Sequence, residues 1–251
     1  QACSNDAQVC AHAIRNLNRI AMGTAKMRWS QTGYGRTSST SVAQETPRNL
    51  FGFKDGTNNI KSEDGDAKLN EHLWVQKGDD SGADWMAGGT YFVVRKIHMF
   101  AEMWDNLRLI EQEQTFGRDK RYGAPLNVTA PTSGKDEFKP IDFKAKNKEG
   151  ELEVPADSHI AIVNPEQNKG RWMLRRGYNY TEGSDALGRL SAGLFFIAFV
   201  RDPRTNFYPI LDKMTQKDAL SEYLQHQARA LFAIPAGIGQ SDTMVGQALF
   251  S

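Results

Sequence analysis

Apolar residues recur at helical spacing near the start of the chain: in "DAQVCAHAIRNLNRIA" (6–21), Val9, Cys10, Ala13, Ile14, Leu17 and Ile20 fall on one face with a 3.6-residue period. An amphipathic helix is predicted there. The following "AKMRWSQTGYG" reads as an edge strand, and a strand end at Cys3 precedes the helix, so residues 1–36 read as strand, helix, strand. That is the tail of an α+β unit. Residues 37–48 are polar and rich in Ser, Thr and Pro, and 61–70 and 76–84 are charged and bear Gly; all three stretches are predicted as loops. Beyond them the β-branched and aromatic "GTYFVVRKIHMF" (89–100) predicts a strand, and 100–117 a helix with Asp105 as a cap or break in its middle. Strands are expected at 171–180 and 189–200, a helix over 207–226 and a short final strand at 230–236. The resulting β-α-β-β-α-β order is the ferredoxin-like arrangement, with 118–171 as a long insertion that carries His159.

Composition narrows the class of function. The 251 residues are 39% hydrophobic and 24% charged with a formal net charge of +1, which suits a large globular unit. A nucleic-acid or anionic-membrane surface would need a basic excess, and none is present. The longest apolar run, "AGLFFIAFV" (192–200), has the length of a strand rather than of a membrane span. Cys3 and Cys10 are not at metal-binding spacing and read as structural thiols, since buried Cys mostly acts as a small hydrophobe.

The residues that could carry chemistry are few. Asp55, in "NLFGFKDGTNNI" (49–60), reads as a turn former, a helix cap or a calcium ligand; the last fails because Thr57 and Ile60 stand where an EF-hand loop needs Asp or Asn and then Gly. The histidines are His12, His72, His98, His159 and His226, with no paired spacing for zinc, and by its residues alone a lone His such as His159 is better explained by a structural role. Arg175 and Arg176 lie inside a predicted strand, where alternation sends one side chain to each face, into a pocket or to solvent. Nucleophile elbows, Walker loops and dinucleotide fingerprints do not occur, so hydrolase and nucleotide readings have no support.

Taken in order, "GFKDGTNN" (52–59), "TFGRDKRYGAPL" (115–126), "DSHIAIVNP" (157–165), "MLRRGYNY" (173–180) and "GLFFIAFV" (193–200) closely resemble the dye-decolourising peroxidases. The nearest branch is similar to the exported haem peroxidase/deferrochelatase of the ferrous-iron uptake system. The resemblance covers nearly the whole chain. It implies an α+β, ferredoxin-like haem-binding domain of a dimeric-repeat α+β barrel, preceded by the end of a second ferredoxin-like domain. The expected division is 1–36 as the remnant of the first domain, 37–88 as linker and distal segment, and 89–251 as the haem domain.

Carried over position by position, the resemblance implies haem b as cofactor, His159 as proximal iron ligand, Asp55 and Arg175 as catalytic residues, Arg118 against a propionate, and Leu194 and Phe196 as apolar lining. A carboxylate can move a proton between the oxygens of peroxide, and an arginine beside it stabilises the charge that develops. Since a carboxylate ordinarily titrates near ~3.9, activity is expected to be best under acidic conditions. The second ring nitrogen of His159 should be fixed by a carboxylate or carbonyl, with Asp202 and Asp212 as candidates.

The function so implied is reduction of hydrogen peroxide with oxidation of dyes, phenols or other small aromatics. The alternatives are release of iron from haem with the tetrapyrrole intact, a porphyrin substrate then replacing the dye, and non-enzymatic haem binding or delivery, which would need His159 but neither Asp55 nor Arg175. Implied partners are an upstream N-terminal portion of the same protein, iron-uptake proteins and further copies of the chain, with no nucleic acid. The implied location is periplasmic or extracytoplasmic by twin-arginine export.

Overall fold

The computed structural model describes residues 1–35 and 39–250, in two compact units, Gln1–Tyr34 and Gly35–Ser251. In the first, helix α1 (Ala7–Ile20) starts where Asp6 accepts a hydrogen bond from the Gln8 amide at 2.8 Å, satisfying one of the donors left open at a helix start. The predicted stripe is there, but Val9, Leu17 and Ile20 are exposed, as is Cys3, while Cys10 is only half-buried. The two thiols are therefore not the buried pair expected. Neither strand expected beside α1 forms: residues 1–4 and 25–33 carry no ladder. A strand exists only through its neighbour's backbone, and propensity does not supply one.

The second unit is built around an antiparallel sheet. Strand β1 (Thr90–Met99) is followed by α3 (Ala101–Asp105) and α4 (Leu109–Phe116), so the predicted helix does break after Asp105. Next come α5 (His159–Val163) within the insertion, β2 (Leu174–Arg175), β3 (Tyr178–Ser184), β4 (Leu190–Val200), α6 (Pro203–Asn206), α7 (Tyr208–Lys217) and β5 (Leu224–Ile234). Strand order is β2-β4-β1-β5, with β3 also on β4. β2 and β3 are thus two pieces of the one strand expected at 171–180, and the β-α-β-β-α-β order holds.

Two predicted boundaries move. Where 61–70 was expected as loop, Ser62–Asp64 form a 3-10 turn and Gly65–His72 a helix, α2: Asp64 accepts from the Lys61 amide at 2.8 Å and pairs with Lys68 one turn on at 3.1 Å. Local capping and an i,i+4 pair outweigh the glycine. The helix expected over 207–226 stops at Lys217, because Asp218 turns extended (ψ 115°) and caps a new 3-10 turn by accepting from Leu220 N–H at 3.0 Å. β5 accordingly starts at Leu224, and His226 lies on a strand.

The core beside the sheet is aromatic. Phe51 stacks on Trp104 with centroids 4.4 Å apart, Phe53 on Phe116 at 4.0 Å, and Met99 and Leu220 close the cluster. At the centre of β4, Gly193 faces His98 of β1 and Tyr180 of β3; a Cβ there would come within 1.9 Å of the Ile97 carbonyl oxygen, so the three strands can meet only over a glycine.

Candidate active site

The loop that holds Asp55 is a short fold-back. Arg48 and Lys54 bridge antiparallel, Asn49 N–H donates to Phe53 O at 2.9 Å, and Asp55 N–H donates to Pro47 O at 2.8 Å. Gly56 follows at φ +116°, where a side chain would be strained, which accounts for the glycine directly after the acid. Buried Glu137, from the insertion, clamps the loop from below: it accepts from Lys54 Nζ and from Thr57 Oγ1, both at 2.7 Å.

Asn59 then joins this loop to the sheet. Its Oδ1 accepts from Arg175 N–H at 2.7 Å, and its Nδ2 donates to Arg175 O at 3.0 Å and to Ser39 O at 3.1 Å. The side chain stands where the backbone of another strand would pair with β2. Arg175 is thereby fixed close to Asp55, and its Nη1 donates to Asp55 Oδ1 at 2.6 Å, with both side chains about a quarter exposed. The other oxygen of Asp55 has no partner among the described residues.

A histidine with a different kind of support stands on another wall of the same cavity. Gly117 ends α4 in the left-handed region at φ +78°, and a Cβ there would lie 2.7 Å from both Ser158 Oγ and Ile160 Cγ1. That close approach sets the start of α5, where His159 is the first residue. Its ring lies edge-on to Phe116 with centroids 6.0 Å apart, and its Nδ1 is 2.7 Å from Asp218 Oδ2. The Asp218 side chain is 1% exposed and that of His159 23%. A carboxylate only accepts, so Nδ1 carries a proton, and in that tautomer of the neutral ring the Nε2 lone pair is left for a ligand. The partner is thus Asp218, and neither candidate expected from sequence: Asp202 caps α6 and pairs with Arg204, and Asp212 is an exposed residue of α7.

Arg118, next after Gly117, is 7% exposed and donates from Nη1 to Gly123 O at 2.6 Å and to Glu137 O at 2.9 Å. Burial pulls its guanidinium down to about 10, partly offset by the Glu137 charge, and no carboxylate pairs with it among the described residues. Asp55, Arg118, His159, Arg175, Leu194 and Phe196 all line one cleft enclosing about 1420 Å³, part of it open to solvent. The six residues singled out in sequence are brought together. Those missed are Asn59, Asp218 and Glu137; only the first had a signal, in the doubled Asn after the Asp-Gly turn. Among the described residues no group of three or more His, Cys, Asp or Glu side chains is placed to hold a metal.

Fold and cleft define a ferredoxin-like α+β unit with a ligand site on one face of its sheet, held between an acid–arginine pair and a carboxylate-backed imidazole. The family model described as "Dyp-type peroxidase, C-terminal" matches residues 46–239, and the chain belongs to that family. It is 35% identical over 238 residues to the dye-decolorizing peroxidase of Thermobifida fusca, covering 94% of this chain and 54% of that protein. It is 34% identical over 252 residues to the deferrochelatase of Yersinia pseudotuberculosis, covering 99% and 56%. Among solved structures, an oxyferrous/water complex of DtpA from Streptomyces lividans superposes with a TM-score of 0.88 at 38% identity, covering 99% of this chain and 65% of that one. The chain spans about half the length of the curated relatives it matches.

Proposed function

We propose that this chain carries the haem site of a peroxidase that reduces hydrogen peroxide and oxidises dyes, phenols or similar small aromatics. The observation that carries the reading is the pairing of opposites in one cleft: Asp55 bound to Arg175 at 2.6 Å, and His159 bound to buried Asp218 at 2.7 Å. The residues fit haem on two counts. His159 keeps a ring nitrogen for iron. Among the described residues buried Arg118 has only carbonyl partners, which suits a propionate.

When bound, haem supplies a redox-active iron at which peroxide is reduced. His159 would hold that iron, with Asp218 fixing the tautomer and raising the basicity of the ring. Asp55, with one oxygen uncommitted, takes the proton of peroxide and returns it to the departing oxygen. Arg175 holds Asp55 in place and offsets the negative charge that develops. Leu194 and Phe196 present apolar surface and limit water.

The names of several relatives favour a second reading of the same residues, release of iron from haem with the porphyrin intact. Free protoporphyrin formed without peroxide would support it. The wider proposal takes residues 1–36 as the end of a first ferredoxin-like domain, with export by the twin-arginine route, self-association and iron-uptake partners. Among the described residues no helix is long and apolar enough to cross a membrane.

The test is an absorbance titration with haem, parent beside His159→Ala. A saturable Soret band in the parent that is lost or strongly shifted in the variant is the expected result. A parent without a band, or a variant with an identical one, would overturn the reading.

A further inference from the structure

The sheet face that floors the cleft carries more cationic groups than the proposed chemistry uses. Cross-strand partners share a face, and the register puts Arg95 of β1 between Phe196 of β4 and Arg229 of β5. Ile97, two residues on, sits between Leu194 and His226. Arg95 and His226 line the same cleft as Asp55 and His159. Since β4 separates β1 from β2, Arg95 is two strand spacings, roughly 10 Å, across the sheet from the strand that bears Arg175. It is a separate place in the cleft.

Arg95 Nε donates to His226 Nδ1 at 3.1 Å. A ring nitrogen that accepts is unprotonated, so the proton of the neutral imidazole is on Nε2, as a donor. The two side chains therefore offer only donors outward: the terminal nitrogens of Arg95 and Nε2–H of His226. Neither has a carboxylate partner among the described residues, and Arg229 stands directly opposite Arg95. Like charges paired across strands repel, and an anion between them would remove the cost. Burial and then the Arg229 charge hold the Arg95 guanidinium below its usual value. Desolvation and then the Arg95 charge push the His226 imidazole down to about 4, toward the neutral donor form.

We propose that Arg95 and His226 form a carboxylate-binding point in the cleft, distinct from Arg118, that anchors an acidic group of the bound tetrapyrrole or of an acidic aromatic substrate. This rests on the haem reading above for the first source and not for the second. The guanidinium plane matches a carboxylate with two parallel bonds, and the imidazole N–H adds a third donor.

Absorbance titrations with haem and with haem dimethyl ester, on the parent and on Arg95→Gln, test the first source. Arg95→Gln should weaken haem binding roughly tenfold and leave the diester within twofold, since only the diacid has a charge to lose. Lys96→Gln, which removes a cation from the opposite face of β1, should change neither. The second source is tested by adding benzoate and following the His226 ring resonances by NMR: a saturable shift in the parent that is absent in Arg95→Gln, with haem affinity unmoved, assigns the point to a free acid. If neither haem nor benzoate senses Arg95, the inference is wrong. If the parent binds neither tetrapyrrole, the haem reading falls and the benzoate arm still decides this one. Should Arg95→Gln fail to fold, His226→Gln on edge strand β5 takes its place with the same expected outcomes in the haem and diester titrations, and the benzoate arm then follows the Arg95 Nε–H resonance, whose saturable shift in the parent should be lost in His226→Gln.

Discussion

Asp55 in the lining of the cleft and Asp218 buried behind its His159 each contact a nitrogen group at nearly the same distance, yet their surroundings differ. Asp218 is 1% exposed, with one oxygen on His159 and the other on Leu220 N–H. Both oxygens are engaged and the group is buried, so it can orient an imidazole but is closed to a substrate. Asp55 is 26% exposed and commits one oxygen, to Arg175. It is held without being saturated. On the proposed roles, a positioning carboxylate differs from a proton carrier in having no oxygen both free of partners and open to the cleft, and the contact distances of 2.7 and 2.6 Å do not reveal that difference.

The strongest way to break this contrast is to remove the proton-carrying ability of Asp55 alone. Asp55→Asn keeps the shape and the acceptor toward Arg175, and the rate of reaction with hydrogen peroxide, followed by stopped-flow absorbance on the haem-loaded protein, should fall by roughly 10²–10⁴-fold. Haem affinity should stay within a few-fold. A variant as fast as the parent would remove Asp55 from the chemistry. The same change on the other wall should divide the two effects differently. Asp218→Asn can still contact Nδ1, but as a neutral group it stabilises the Nδ1–H tautomer less, and haem affinity should drop by roughly 10- to 100-fold. The peroxide rate of the fraction that remains loaded should fall much less than in Asp55→Asn. Equal losses in both readouts for both variants would mean that the two carboxylates do not differ in role.

How far this division was legible in the sequence depends on the range of each interaction. Asp55, Arg118, His159 and Arg175 sit in short motifs whose resemblance to a family carries their roles, and the structure brings all four to one cleft. The ferredoxin-like order was readable because β1 and β4 are long and rich in apolar, aromatic and β-branched residues. Asp218 was missed because its partner is 59 residues away, and because the pattern of 207–226 continues apolar and polar positions across it as though one helix ran through. The capping that ends α7 there competes with helix propensity and wins locally. The strand expected over 25–35 failed for the converse reason: its residue types suit a strand, but pairing is a property of the neighbour.

The smallest expected effect concerns Asn59, which joins the loop of Asp55 to the strand of Arg175. Asn59 is 2% exposed, and its amide satisfies both backbone groups of Arg175 together with Ser39 O. Asn59→Ala leaves one N–H and two carbonyls without these partners, which should cost about 1–3 kcal/mol of stability, or a few degrees in Tm for a protein of this size. Asn59→Asp is the sharper probe. It keeps the acceptor toward Arg175 N–H but places a second oxygen where Nδ2 donated to two carbonyls, so it should destabilise at least as much as Ala despite its nearly identical shape. If thermal unfolding shows Asn59→Asp as stable as the parent, the amide is not what joins the Asp55 loop to β2. If both variants lose stability while the peroxide rate of the folded protein is unchanged, Asp55 and Arg175 find each other through their own ion pair, and the Asn59 contacts serve the fold alone.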